Sequence, residues 1–351
     1  MPAGLPRPVE MRSVVYLGPQ EIELRRVPVP RPRAGELLVR VRAATTCGTD
    51  VKTYLRGHPK FPAPFAFGHE FGGDIVEVGQ GVSGFQAGMR VTANVFAECG
   101  ECFYCRMGQG NLCENLVYNF GAFSEYMLIP KSIVRLNTFE IPEPISYSQA
   151  AIVEPLVDVV HGQHLVKIQP GEHVAIIGAG PVGLLHLQLA RAAGAAQVIL
   201  VERSPVRLAA ARQLGATQCI QPSPAELVQA LRDLTGGFGP DVVIECAGTQ
   251  ATWEASVEAV RRGGRVLWFG GLPGGTRVTL DAARVHYGEI TLLGIHGGTA
   301  RDAREAFSLI TSRTVDVQAL LSGELPLEQV EVGLKQMLAG EVIKLSINPE
   351  L

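Results

Sequence analysis

Cys47-Gly48-Thr49-Asp50 sets a thiol two residues before a hydroxyl, so one short segment offers both a metal ligand and a proton donor. A single thiolate does not hold a metal by itself. Gly68-His69-Glu70 and Glu154 supply a nitrogen and two carboxylates from elsewhere in the chain, and a donor set of Cys, His and Glu suits zinc. A second set is local: Cys99, Cys102, Cys105 and Cys113 follow the spacing C-x2-C-x2-C-x7-C. Four thiolates so spaced can close a tetrahedral zinc site with no open position, the arrangement of a structural site. An iron–sulfur cluster is also held by four thiolates, whereas disulfides across such short loops would be strained. Glu154 sits within Ala150-Ala151-Ile152-Val153-Glu154-Pro155. A carboxylate there costs on the order of several kcal/mol unless it is paired or bound to a metal, or unless it faces solvent from a helix end.

The other chemical signature is Gly178-Ala179-Gly180-Pro181-Val182-Gly183, which follows an apolar run and opens an apolar helix, as a dinucleotide-binding turn must. Gly178 permits the tight turn, Gly180 lets the backbone approach a pyrophosphate, and Gly183 allows close helix packing. Pro181 and Val182 then form the first helical turn, whose amino terminus faces the phosphates. Glu202 ends the second strand of this segment, where its carboxylate can accept hydrogen bonds from both adenine-ribose hydroxyls and repel a 2′-phosphate. That favours NAD over NADP, although Arg203 could greet such a phosphate. Arg207 is placed to lie along the adenosine or to be solvated. Gly248 and Gly270 follow the fourth and fifth strands and Ile295 ends the sixth, at the carboxyl ends where such folds bind ligands. A Lewis-acid metal together with a hydride carrier implies a dehydrogenase.

These residues need two kinds of scaffold. Short strands at 12–17, 21–27 and 37–43, with prolines at 28, 30 and 32 between them, begin an antiparallel β domain. Thr49 or Asp50 is expected to cap a short helix running toward Gly57. Ser146-x-x-Gln149 has the form of a capping box and is expected to open the helix that carries Glu154. From His173 the pattern alternates: strands at 173–177, 197–201, 219–220, 241–246, 265–269 and 290–295, with helices at 181–193, 205–214, 225–234 and 250–262. Six parallel strands with crossover helices describe a doubly wound α/β sheet. Helices at 302–311 and 327–338 and a strand at 342–347 then return to the first domain.

The chain has 351 residues, 46% hydrophobic and 19% charged, with a formal charge of −3. That charge gives no electrostatic reason to expect nucleic acid or an anionic membrane as partner. No window approaches 18 uninterrupted apolar residues and the opening residues lack a signal-peptide core, so a cytoplasmic enzyme acting on a small molecule is expected. His161, His164, His186, His286 and His296 have no ligand spacing and read as structural or surface residues. A nucleic-acid-binding zinc ribbon would account for the four cysteines but not for the second ligand set or the glycine turn. A non-catalytic nucleotide-binding relative would usually have lost the metal ligands.

With these motifs in this order, the chain resembles the zinc-containing medium-chain alcohol dehydrogenases over essentially its whole length. The resemblance implies a GroES-like β domain at 1–157 and 297–351, with a zinc lobe at 97–116, and a Rossmann NAD-binding domain at 158–296. It implies two zinc ions per chain. Cys47, His69 and Glu154 would be ligands of a catalytic zinc, with Glu70 a ligand that exchanges with water or substrate, and the four cysteines would hold a structural zinc. Thr49 would pass the substrate hydroxyl proton outward while a hydride moves to NAD. Glutamate at position 154 places the chain nearer the sorbitol and threonine dehydrogenase branch. The expected reaction is oxidation of a secondary alcohol or polyol to a ketone, with an amino alcohol such as threonine as the alternative. Thr53 and Gly297 depart from the sorbitol pattern, and Val51-Lys52-Thr53 departs from the threonine pattern. The family also implies a homodimer or homotetramer.

Overall fold

A computed structural model describes residues 8–58 and 60–351. The described residues form two compact units, one drawn from the ranges 1–155, 299–311 and 321–351 and the other from 156–298 and 312–320.

The strand Leu37–Thr45 is the hub of the first unit. Its sequence alternates Val39 and Val41, both fully buried, with the partly exposed Arg40 and Arg42, the period of a strand with one face in a core. It pairs antiparallel with Glu70–Val78, Tyr126–Ile129 and Lys344–Ile347. In this register Thr45 lies opposite Glu70 on one side and Ser346 on the other. The end of the hub strand therefore gathers the segment before Cys47, the segment after His69 and the carboxy-terminal strand. Glu10–Gly18 and Glu21–Pro28 form an antiparallel pair extended by Phe65–Ala66. Phe67, Phe71, Ile75, Val91, Phe123 and Ile129 fill the core beneath, each contributing roughly 1.5–3 kcal/mol by burial.

Two local expectations are corrected. The helix after Cys47 spans Gly48–Arg56, and its N-cap is Cys47 itself rather than Thr49 or Asp50. Cys47 has the extended backbone that a cap requires, and its Sγ accepts from the Thr49 amide at 3.4 Å. Asp50 lies inside the helix and reaches back to accept from the Cys47 amide at 2.9 Å. The Ser146 and Gln149 capping box forms as expected, but its helix, Tyr147–Ala151, ends before Glu154. A new helix, Val153–Val166, carries that residue. Pro155 explains the break: its ring would clash with the carbonyl of Ala151 in a continuous helix, but it is tolerated in the first turn of a new one.

The second unit is a six-stranded parallel sheet. Its order is Gln218–Ile220, Gln197–Val201, His173–Ile177, Val242–Glu245, Arg265–Trp268 and Thr291–Gly294. Val174, Ala175 and Ile176 are wholly buried, as are Val198, Ile199 and Leu200. Parallel strands covered on both faces read as such continuous apolar runs. This is the doubly wound α/β arrangement expected from the alternating pattern. Among the described residues no helix is long and apolar enough to cross a membrane.

Candidate metal centre and nucleotide turn

Cys47, His69, Glu70 and Glu154 converge in the first unit, each offering a ligand atom, all within 4.8 Å of one another. Three pieces of local structure place them: the cap of Gly48–Arg56, the start of the strand Glu70–Val78, and the first turn of Val153–Val166. Glu154 and His69 are buried, so the reading of Glu154 as a solvated helix end does not hold. The Asp50 carboxylate lies 3.1 Å from His69 Nδ1, leaving Nε2 turned toward Glu154 at 3.8 Å. A carboxylate on one ring nitrogen fixes the tautomer that leaves the other as a ligand.

Glu70 is fully buried. Its Oε2 accepts from Lys344 Nζ at 2.5 Å and from the Thr45 hydroxyl. Its Oε1 is buried with no hydrogen-bond partner. Lys344 is fully buried and also donates to the Thr46 carbonyl at 2.6 Å. Burial acts to lower the Lys344 pKa, but the charges of Glu70 and Cys47 outweigh it and the net shift is upward. For His69, burial likewise acts downward while Asp50, Glu154 and Cys47 raise it, leaving it well above the usual imidazole value. Desolvation and then the charge of Glu70 push the Cys47 thiol up. An orphaned carboxylate oxygen, an imidazole nitrogen set free by Asp50 and a thiol, gathered within one cation's reach, fit a divalent zinc.

The second cluster fits a metal on distances alone. Cys102 and Cys105 sulfurs are 3.5 Å apart, Cys113 and Cys99 3.5 Å, and Cys99 and Cys105 3.9 Å. A tetrahedral zinc with bonds of about 2.3 Å has sulfur–sulfur edges of about 3.8 Å. A disulfide would need about 2.05 Å, and all four cysteines are free. Backbone amides hold the ligands: those of Glu101 and Cys102 lower the Cys99 thiol to about 6, while burial pushes Cys105 up to about 12. The turn is made by Gly100 at φ +86° and by the short helix Phe103–Arg106.

In the second unit the glycine turn has the shape its sequence requires. A Cβ at Gly183 would stand 2.0 Å from the Gly178 carbonyl oxygen, so only glycine lets the helix Pro181–Ala192 pack there. Nothing lies within 4 Å of a Cβ placed on Gly180, the helix N-cap, which leaves its face open. Glu202 is already engaged by its own backbone surroundings. Its Oε2 accepts from the Ala179 amide at 2.9 Å, and its Oε1 from the Arg203 and Ser204 amides at 2.7 and 3.0 Å. The carboxylate is thereby fixed at the glycine turn, with Arg207 3.9 Å away. Gly248 and Gly270 are explained by each other: a Cβ on Gly270 would meet the Gly248 amide at 2.5 Å. Ile295 follows the strand Thr291–Gly294 and packs toward Gly162 of the same unit.

Comparison with known proteins agrees with this geometry. Residues 33–139 match the family profile described as alcohol dehydrogenase GroES-like domain, and residues 181–312 the one described as zinc-binding dehydrogenase. The chain is 32% identical to sorbitol dehydrogenase of Bacillus subtilis (strain 168), covering 97% of this chain and 98% of that protein. The chain belongs to the zinc-containing medium-chain alcohol dehydrogenase family. L-threonine 3-dehydrogenase of Bacillus subtilis is 34% identical, over 93% of this chain and 94% of the relative. Among solved structures, a zinc-binding dehydrogenase from Sinorhizobium meliloti 1021 bound to NADP superposes with a TM-score of 0.88 at 34% identity, covering 97% of this chain and 99% of that one. As a medium-chain dehydrogenase this protein is an oxidoreductase with GroES-like and Rossmann-type domains.

Sequence reasoning missed two residues of the candidate metal centre. Asp50 had a signal, since a carboxylate three positions after Cys47 is the spacing of a capping box, here serving His69 as well. Lys344 had none, because only the pairing of Lys344–Ile347 with the hub strand brings it to Glu70.

Proposed function

We propose that this protein oxidises a secondary alcohol to a ketone with NAD as hydride acceptor, using a zinc held by Cys47, His69 and Glu154 with Glu70 as an exchangeable fourth ligand. The observation that carries the reading is the buried, unpartnered Glu70 Oε1 within the four-donor cluster. When bound, the zinc supplies Lewis acidity toward a hydroxyl oxygen and the nicotinamide supplies a two-electron acceptor. The rest falls to the chain's own side chains. Asp50 orients His69, and Lys344 with Thr45 tethers one oxygen of Glu70 while the other is left without a partner at the cluster. Thr49 is exposed on the first turn beside Cys47, where its hydroxyl can take the substrate proton and hand it to water. The balance is alcohol plus oxidised nicotinamide giving ketone, reduced nicotinamide and one proton.

In the same reading Cys99, Cys102, Cys105 and Cys113 hold a second, structural zinc. Gly178 to Gly183 receives the pyrophosphate, Glu202 the adenosine ribose, and Arg207, Gly248, Gly270 and Ile295 border the dinucleotide. A cytoplasmic homodimer or homotetramer belongs to it as well. A second reading, oxidation of an amino alcohol, is favoured by the 34% identity to an L-threonine 3-dehydrogenase. NADP in place of NAD is favoured by the NADP-bound relative and by Arg203 beside Glu202.

The test is a panel of secondary alcohols, polyols and threonine with each nicotinamide, read as reduced cofactor formed, with and without chelator. NAD-linked, chelator-sensitive oxidation of a secondary alcohol is the expected result, with Thr49→Ala lowering kcat by roughly 10²-fold. Threonine as the best substrate would replace the first reading by the second. Turnover that survives complete zinc removal would overturn both.

A further inference from the structure

We infer that the substrate's carbon substituent is apolar and lies against a wall of rings formed by His58, Phe61, Tyr118 and Phe120, so that aryl and long-chain alkyl secondary alcohols are preferred to polyols. The inference rests on the dehydrogenase reading and narrows its substrate class.

The wall begins at the candidate metal centre. The Phe120 ring stands 6.1 Å from the His69 imidazole, edge to face. Phe61 packs on Phe120 at 4.6 Å and on Tyr118 at 4.9 Å, and His58 packs on Phe61 at 4.7 Å. All four rings remain partly exposed, unlike Phe67, Phe71 and Phe123, which the core consumes. At the candidate metal centre, Cys47 is partly exposed and Thr49 exposed. A run of incompletely covered rings leading away from a metal-ligating histidine is a surface that gains by covering apolar atoms.

The same rings suit a polyol badly. Phe61 and Phe120 carry no polar atom. His58 Nδ1 already accepts from the Lys60 amide at 3.2 Å, and the Tyr118 hydroxyl accepts from Lys60 Nζ at 3.0 Å. The Tyr118 O–H and His58 Nε2 can still pair with a hydroxyl, but hydroxyls laid on Phe61 and Phe120 would give up water without an equivalent partner. An ammonium group fares no better, because Lys60 Nζ already stands 5.6 Å from the centre of the Tyr118 ring and would repel a second cation.

The experiment compares kcat/KM for 1-phenylethanol, 2-propanol, sorbitol and threonine on the zinc-loaded enzyme, then repeats the comparison with Phe61→Ala and Phe61→Leu. Covering one aryl ring predicts a preference for 1-phenylethanol over 2-propanol of roughly 30-fold or more. Phe61→Ala should shrink that ratio about tenfold, and Phe61→Leu, which keeps a branched apolar side chain on the wall, should shrink it less. Sorbitol or threonine as the preferred substrate, or a ratio that neither variant moves, overturns the inference while leaving the dehydrogenase reading intact. If no alcohol is oxidised, ligand-observed NMR with 1-phenylethanol decides. Binding that weakens in Phe61→Ala upholds the apolar wall and discards the dehydrogenase reading, and absence of binding discards the wall.

Discussion

Lys344 and Glu70 form a buried ion pair whose worth depends on what else occupies the cluster. Glu70 keeps one oxygen tethered to Lys344 and Thr45 and the other without a partner. Removing the lysine leaves a carboxylate buried without its cation, a loss of about 3–5 kcal/mol when one partner of such a pair is deleted. Lys344→Met should therefore destabilise the metal-free protein by about that much. A divalent ion supplies the missing positive charge, so the zinc-loaded variant should lose less. The gap between the melting temperatures of the two forms should widen relative to wild type, as calorimetry on matched samples would read. An unchanged gap would show that the lysine and the metal do not act on the same carboxylate.

Among the helices, Pro181–Ala192 carries both the end of the glycine turn and a buried histidine that bears on stability. His186 is fully buried, with Nδ1 3.0 Å from Gln163 Nε2, its ring edge on Phe269 at 4.7 Å, and Nε2 without a partner. Burial lowers its pKa from 6.5 to about 3. Because the folded value lies below the unfolded one, the unfolded chain binds the extra proton between those limits. The stability this residue contributes is thus fully present above about pH 6.5 and is lost as the pH falls toward 3. Each pH unit inside that window costs about 1.4 kcal/mol. His186→Leu should flatten the stability profile between pH 6.5 and 4.5 by about 2–3 kcal/mol, measured by urea unfolding at both ends. Parallel profiles for variant and wild type would mean that His186 is protonated in the fold. The same helix shows why local pattern was a good guide here. Gly183 is demanded by its close approach to the Gly178 carbonyl and Gly178 by its own positive φ of +101°, so the local sequence already contained a reason for both, although Gly178 also lies against Cys246 and Ala247. The helix carrying Glu154 was misjudged because Pro155 splits an apolar run that otherwise reads as continuous.

Across the whole molecule, the four-cysteine lobe has little apolar support of its own. Phe103 and Met107 are exposed, and its regular structure is limited to a four-residue helix, a three-residue 3₁₀ turn and a two-stranded ladder. On the proposed reading such a segment would be held mainly by a zinc, whose binding would then be folding free energy. Cys105→Ser should lower the zinc content from two ions to one per chain and reduce Tm by roughly 5–10 °C. It should also open residues 98–116 to proteolysis. Two zinc ions retained with an unaltered Tm would refute the closed four-sulfur site.

What the sequence determined by itself were the features whose partners lie close along the chain or whose pattern is periodic. These are the glycine turn with Glu202, the four-cysteine spacing, the six apolar strands, and the residue types at 47, 69, 70 and 154. The strand Leu321–Leu325 escaped because Leu321-Ser322-Gly323-Glu324-Leu325 has neither β-branched residues nor clean alternation; its pairing with Lys344–Ile347 makes it a strand. Only the tertiary structure decided that Asp50, besides closing the cap at Cys47, also serves His69, and that Lys344 reaches Glu70. The chain of rings from His69 to His58 was likewise invisible in one dimension. Local spacing encodes hydrogen bonds between near neighbours, whereas the meeting of Glu70 with Lys344 is set by strand register, which a one-residue slip would redirect to the opposite face of the sheet.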